Sequence, residues 1–138
     1  MAAKITGEEL AVPIETVEQW TTIAGEHAVK DMLFVVEVFA EWCGPSQAIW
    51  STYVKLYNEY TDRKLKLHKV CAKLETEGGA LDKFRTGSRP NFLFYLNGEQ
   101  VAHVEGVQAP TFEKTIVDFL PDGMLEGAFD GAAEDEED

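Results

Sequence analysis

Cys43 stands in the stretch Trp42-Cys43-Gly44-Pro45-Ser46, between a run of apolar residues and a stretch with helical periodicity. That placement predicts a thiol at the first turn of a helix. Unpaired backbone N–H groups and the helix dipole favour negative charge there, so Cys43 is expected to ionise more readily than a free cysteine and to act as a nucleophile. A reduction cycle then needs a second thiol to attack the mixed disulfide that the first one forms. The position three residues on holds Ser46, and a hydroxyl cannot do this. Ser46 has three readings: natural loss of the resolving group, a cysteine-to-serine trap, or a cap at the helix N-terminus. Glu37 interrupts the apolar run upstream, where desolvation should raise the pKa of its carboxyl unless the side chain reaches water at the strand end.

The elements that must position these residues follow from periodicity. Met32 to Phe39 is β-branched and aromatic with little alternation, as in a central strand covered on both faces. A long helix is expected from near Cys43 through Ala48, Ile49, Tyr53, Leu56, Tyr57 and Tyr60, and Leu65 to Cys71 reads as the next parallel strand. Before these come a loosely held segment over residues 1 to 9, an edge strand over Leu10 to Ile14, and a short helix after Thr16 that places Trp20 in the core. After them, Gly78-Gly79 precedes a short helix with Leu81 and Phe84. Asn91 to Leu96 and Gln100 to Glu105 flank the hairpin signal Asn97-Gly98, and Pro110 opens a last helix stopped by Pro121. The predicted order is β-α-β-α-β-α-β-β-α: one α/β domain over residues 1–121, followed by an acidic disordered tail over 122–138.

The chain has 138 residues and a formal net charge of −13, with 12 basic and 25 acidic side chains. This excludes general affinity for nucleic acid or an anionic membrane, both of which need clustered Lys and Arg, and makes a protein the expected partner. Taken as a whole, an acidic body and tail favour a basic partner segment. No apolar run is long enough to span a bilayer. Two cysteines make no disulfide framework, and no basic-then-apolar leader precedes the domain, so a reducing, cytoplasmic setting is expected. His27, His68 and His103 lack ligand-like spacing, so neither a metal nor a cofactor is expected. Cys71 reads as a buried structural cysteine rather than a partner for Cys43.

Glu37 to Ser46, Arg89 to Glu99 and Val104-Glu105-Gly106 together resemble, in the right order, the active-site segment, cis-proline strand and hairpin, and last-strand glycine of the thioredoxin family. The resemblance covers roughly residues 10 to 120. It implies the thioredoxin fold, a mixed central β-sheet flanked by helices, and thiol–disulfide exchange through Cys43. It assigns Ser46 to the resolving position and Glu37 to the place of a buried carboxyl that transfers protons. A peptide-binding face is implied at Trp42, Gly44, Pro45, Arg89 and Pro90, with Pro90 cis. Arg89 departs from the smaller apolar residue usual there. The stretches Val36 to Ala48 and Pro90 to Tyr95 are similar to the thioredoxin-like light chains of axonemal outer-arm dynein and to the thioredoxin domains of ciliary nucleoside diphosphate kinases. That similarity implies a protein-binding subunit with impaired disulfide turnover, a dynein heavy chain as partner and a place in the ciliary axoneme. The alternative is a thiol-disulfide oxidoreductase acting on a disulfide-bearing substrate, either monothiol or trapped at Ser46.

Overall fold

The structure, a computed structural model, describes residues 6–125. Its centre is β2 (Leu33–Phe39), six of whose seven side chains are buried, Glu37 among them, as expected of a central strand covered on both faces. Odd positions Leu33 and Val35 point to a layer with Ile49, Tyr53, Leu56, Phe92, Phe94, Phe112 and Ile116. Even positions Phe34, Val36 and Val38 point to the opposite layer with Trp20, Ile23, Leu81, Phe84, Leu93 and Tyr95. Period-two alternation thus divides the core between two faces of one sheet.

Around β2 the sheet runs in the order β1-β3-β2-β4-β5, where β1 is Val12–Ile14, β3 Leu65–Cys71, β4 Asn91–Leu96 and β5 Glu99–Glu105. β1, β3 and β2 are parallel, and β4 and β5 complete the sheet antiparallel, giving the mixed sheet expected from sequence. The β4–β5 turn has positive φ at Asn97 (54°) and Gly98 (86°), which is why those two residue types occupy it. Between β1 and β2, α2 (Val17–Thr21) starts on a capping box in which Gln19 N–H donates to Thr16 Oγ1 at 3.1 Å. α3 (Trp50–Tyr60) and α4 (Ala109–Phe119) contribute Tyr53, Leu56, Phe112 and Ile116 to the first layer.

Several local expectations differ. Part of the stretch expected to be loose is a helix, α1 (Gly7–Leu10), held where Glu9 Oε1 accepts the Thr6 N–H at 3.0 Å. It packs on α3 so closely that a Cβ on Gly7 would lie 2.4 Å from Trp50 Cβ. The edge strand is correspondingly shorter, beginning at Val12. The helix expected after Gly78-Gly79 is two 3₁₀ turns, Glu77–Gly79 and Asp82–Phe84, because both glycines adopt positive φ, 82° and 64°. The long helix begins at Trp50 rather than near Cys43, with consequences for the site. Of the expected tail from Asp122, the described part is tied down: Leu125 N–H donates to Asp62 O at 2.8 Å and Arg63 Nε to Gly123 O at 3.1 Å. The remainder lies outside the described residues.

Candidate functional site

β2 ends at Phe39, and the chain turns immediately: the N–H groups of Cys43 and Gly44 both donate to the Ala40 carbonyl, at 3.2 and 3.0 Å. Gly44 has φ 71° and Pro45 has no N–H, so the helical ladder cannot start here. Cys43 is therefore exposed in a turn, its Sγ donating weakly to Ala40 O at 3.6 Å, and the first helical residue is seven positions further on. Cys43 thus lies outside the first turn of α3, the range over which a helix dipole acts, where the sequence placed it inside. Ser46 is half-buried, and its Oγ accepts the Ala48 N–H at 3.2 Å. The hydroxyl at the resolving position thus closes a local turn leading toward α3.

Beneath this loop lies Glu37, only 1% exposed. Its two oxygens accept from different elements: Oε2 from Ser46 N–H at 2.8 Å and Oε1 from Tyr53 O–H, on α3, at 3.1 Å. Burial raises its pKa above the usual carboxylate range, opposed by the Ser46 N–H, the Tyr53 hydroxyl and the Lys69 charge on the neighbouring strand. The reading in which Glu37 escapes to water is excluded. Burial and the adjacent carboxylate push the Tyr53 phenol far above its usual range, so it remains a donor. Tyr53 was legible from sequence only as part of an apolar helix face. The missed signal is that a buried tyrosine hydroxyl needs a partner.

A cleft of about 170 Å³ brings together Cys43, Gly44, Pro45 and Ser46 with Arg89 and Pro90 across the sheet, shared with Phe39 and Ser88. The Arg89–Pro90 bond is trans, as is every peptide bond among the described residues, where the family resemblance implied cis. The strand entry is nonetheless fixed: Gly106 N–H donates to Pro90 O at 2.7 Å, and Asn91 Nδ2 donates to Arg89 O at 3.2 Å. Trp42, 65% exposed, is not in this cleft. It lines a neighbouring one with Glu41, Lys73 and Arg85, where Lys73 and Glu41 pair at 3.0 Å. Cys71, expected to be buried, is half-buried and lines a separate cleft with Lys69 and Lys73.

The thioredoxin family model matches residues 15–120, from the loop before α2 through the end of α4. The chain belongs to the thioredoxin family. It is 38% identical over 100 residues to the 14 kDa light chain of the flagellar outer-arm dynein of Chlamydomonas reinhardtii, which covers 72% of this chain and 74% of that one. It is 34% identical over 120 residues to thioredoxin domain-containing protein 6 of Xenopus laevis, covering 87% of this chain but only 18% of that longer protein. Among solved structures, thioredoxin of Plasmodium falciparum superposes with a TM-score of 0.58 at 26% identity, over 79% of this chain and 99% of that one. Within this thioredoxin-family frame, the site supplies one exposed thiol, one buried carboxyl hydrogen-bonded to its loop, and a cleft bordered by a strand entry. The C-x-x-S loop offers no second thiol to Cys43.

Proposed function

We propose that this chain is a thioredoxin-like protein-binding subunit, a light chain of the axonemal outer-arm dynein type, whose Cys43 face engages a protein partner without turning over disulfides. The observation that carries this reading is Ser46: the resolving position holds a hydroxyl already engaged with the Ala48 N–H, while the cleft between the Cys43 loop and Pro90 is kept. Binding at that face needs shape and donors, whereas release of a mixed disulfide needs a second thiol. The similarity to a flagellar outer-arm dynein light chain, spanning about three quarters of each chain, supports a dynein heavy chain as the partner and the axoneme as the location. No described helix is long and apolar enough to cross a membrane. Gly44, Pro45, Arg89 and Pro90 form the partner face, flanked by Trp42 in the neighbouring cleft, Cys43 is a redox-sensitive contact within it, and Glu37 holds the loop through the Ser46 N–H. We place the folded module at residues 1–121, with Asp122 to Leu125 tied back onto it through Asp62 and Arg63.

A second reading, a monothiol exchanger, is favoured by one observation: Cys43 is exposed and lines the cleft. The two are separated by affinity purification of the wild-type chain and Cys43→Ala from ciliated cells under reducing conditions. The light-chain reading expects equal recovery of dynein heavy chain with both. Partners that appear only as disulfide adducts, and vanish with Cys43→Ala, would overturn it in favour of the exchanger.

A further inference from the structure

The net charge of −13 predicts a basic partner, but the one charged residue lining the Cys43 cleft is a cation, Arg89. The chain has three arginines, and two are occupied: Arg63 donates to the carbonyls of Gly123 and Pro121, and Arg85 donates to Ala72 O and pairs with Asp82 at 3.1 Å. Arg89 is exposed, lines the Cys43 cleft, and has no hydrogen bond or ion pair from its side chain among the described residues. Among the residues that line this cleft it is also the one charged side chain.

Its backbone, by contrast, is anchored. The Asn91 side chain, 7% exposed, donates through Nδ2 to Arg89 O, and its Oδ1 lies 2.7 Å from His103 Nε2 on β5. The residue is thus held at the cleft mouth by a bracket across β4 and β5 while its five N–H donors stay free. The carboxylates closest in sequence to Cys43 are otherwise engaged, Glu37 buried beneath the loop and Glu41 paired with Lys73, so a segment lying in the cleft meets the guanidinium, while remote charges are largely screened beyond about 10 Å.

We infer that Arg89 selects a partner segment carrying an Asp or Glu side chain beside the residue that meets Cys43. The guanidinium presents a planar fork that matches a carboxylate, which makes Arg89 a specificity residue. This rests on the proposed partner face and names the chemistry of the segment that fits it.

The test uses the full chain carrying Cys71→Ser and short blocked peptides with one cysteine, activated as the 2-thiopyridyl disulfide. The peptides differ only in Glu, Gln or Lys beside that cysteine. The Cys43 thiolate attacks the peptide sulfur and a Cys43–peptide disulfide forms. The peptide–thiopyridyl bond breaks, and its electron pair leaves with 2-thiopyridone, whose absorbance gives the rate. The expected result is a rate for the Glu peptide about two- to fivefold above that for Gln, fading at high salt. Arg89→Ala should abolish that ratio, and Arg89→Glu should shift preference to the Lys peptide. Because every rate is a ratio within one variant, any change in thiol reactivity cancels.

A Glu-to-Gln ratio unchanged by Arg89→Ala, or a wild-type preference for Lys, overturns the inference and leaves the partner face standing. An Arg89 dependence seen with oxidised glutathione but not with the peptides assigns the guanidinium to a small carboxylate thiol and also overturns it. Release by the Cys43 chain no faster than by the thiol-free chain that also carries Cys43→Ala overturns the face, and this inference with it.

Discussion

Tyr53→Phe isolates the buried contact under the Cys43 loop. Tyr53 and Glu37 are each 1% exposed, and the phenol donates to Glu37 Oε1 at 3.1 Å. Removing the hydroxyl leaves that carboxyl oxygen without its donor in a site water does not reach. A hydrogen bond to an ionised acceptor is worth about 1.5–3 kcal/mol and one to a neutral acceptor about 0.5–1.5 kcal/mol, so the loss depends on the protonation state of Glu37. Because burial raises the folded-state pKa above the ordinary 4.5, Glu37 contributes stability that is fully present below that value and is lost as pH rises through the folded pKa. The Tyr53 hydroxyl lowers that pKa, so in Tyr53→Phe the window of loss extends further upward. The difference between the two proteins should therefore be smallest in acid and largest in alkali. Urea unfolding at about pH 5 and about pH 8 measures it, and with a slope of about 1–3 kcal/mol per molar the alkaline midpoint should fall by about 1 M. Equal midpoints at both pH values, or a loss no larger in alkali than in acid, would refute the placement of a buried, hydrogen-bonded carboxyl here.

Glu37→Gln removes the ionisation while keeping a side chain that can accept from Ser46 N–H and meet Tyr53 Oη. It should flatten the decline of stability with rising pH and leave the protein no less stable in alkali, which the same urea series reads. Gly7→Ala would place a Cβ 2.4 Å from Trp50 Cβ and 2.5 Å from the Trp50 carbonyl, forcing α1 off α3. It should cost about 1–3 kcal/mol and lower the melting temperature by about 5 °C or more, with circular dichroism as the check.

Strand positions were legible where the burial pattern repeats along the chain. β3 and β4 match the sequence reading residue for residue and β2 to within one residue, since an unbroken or alternating apolar run leaves little choice of element. Less of the helix starts could be read. Ala48 and Ile49 continue the periodicity of α3, yet the residues before Trp50 are drawn into turns by Gly44, by Pro45 and by a Ser46 N–H committed to a carboxyl nine residues upstream. Local periodicity cannot register a hydrogen bond made through the tertiary fold. For α1 the signal was present, since Thr6 and Glu9 have capping-box spacing, but four residues carry too little apolar pattern to stand without the contact on Trp50. At the site, the motif located Cys43, Ser46, Arg89 and Pro90, which the fold gathers in one cleft. It did not place Trp42 in a separate cleft with Lys73 and Arg85, because that arrangement depends on how two distant loops meet.

The central claim is that the Cys43 face binds and does not turn over, and the most direct measurement counts equivalents of a disulfide substrate reduced per protein molecule. With insulin as substrate and NADPH-driven thioredoxin reductase as electron source, the wild-type chain should stop at no more than about one equivalent, held as a mixed disulfide on Cys43. Ser46→Cys should convert that stop into continued reduction. Sustained reduction by the unaltered chain, with Ser46 in place, would contradict the account.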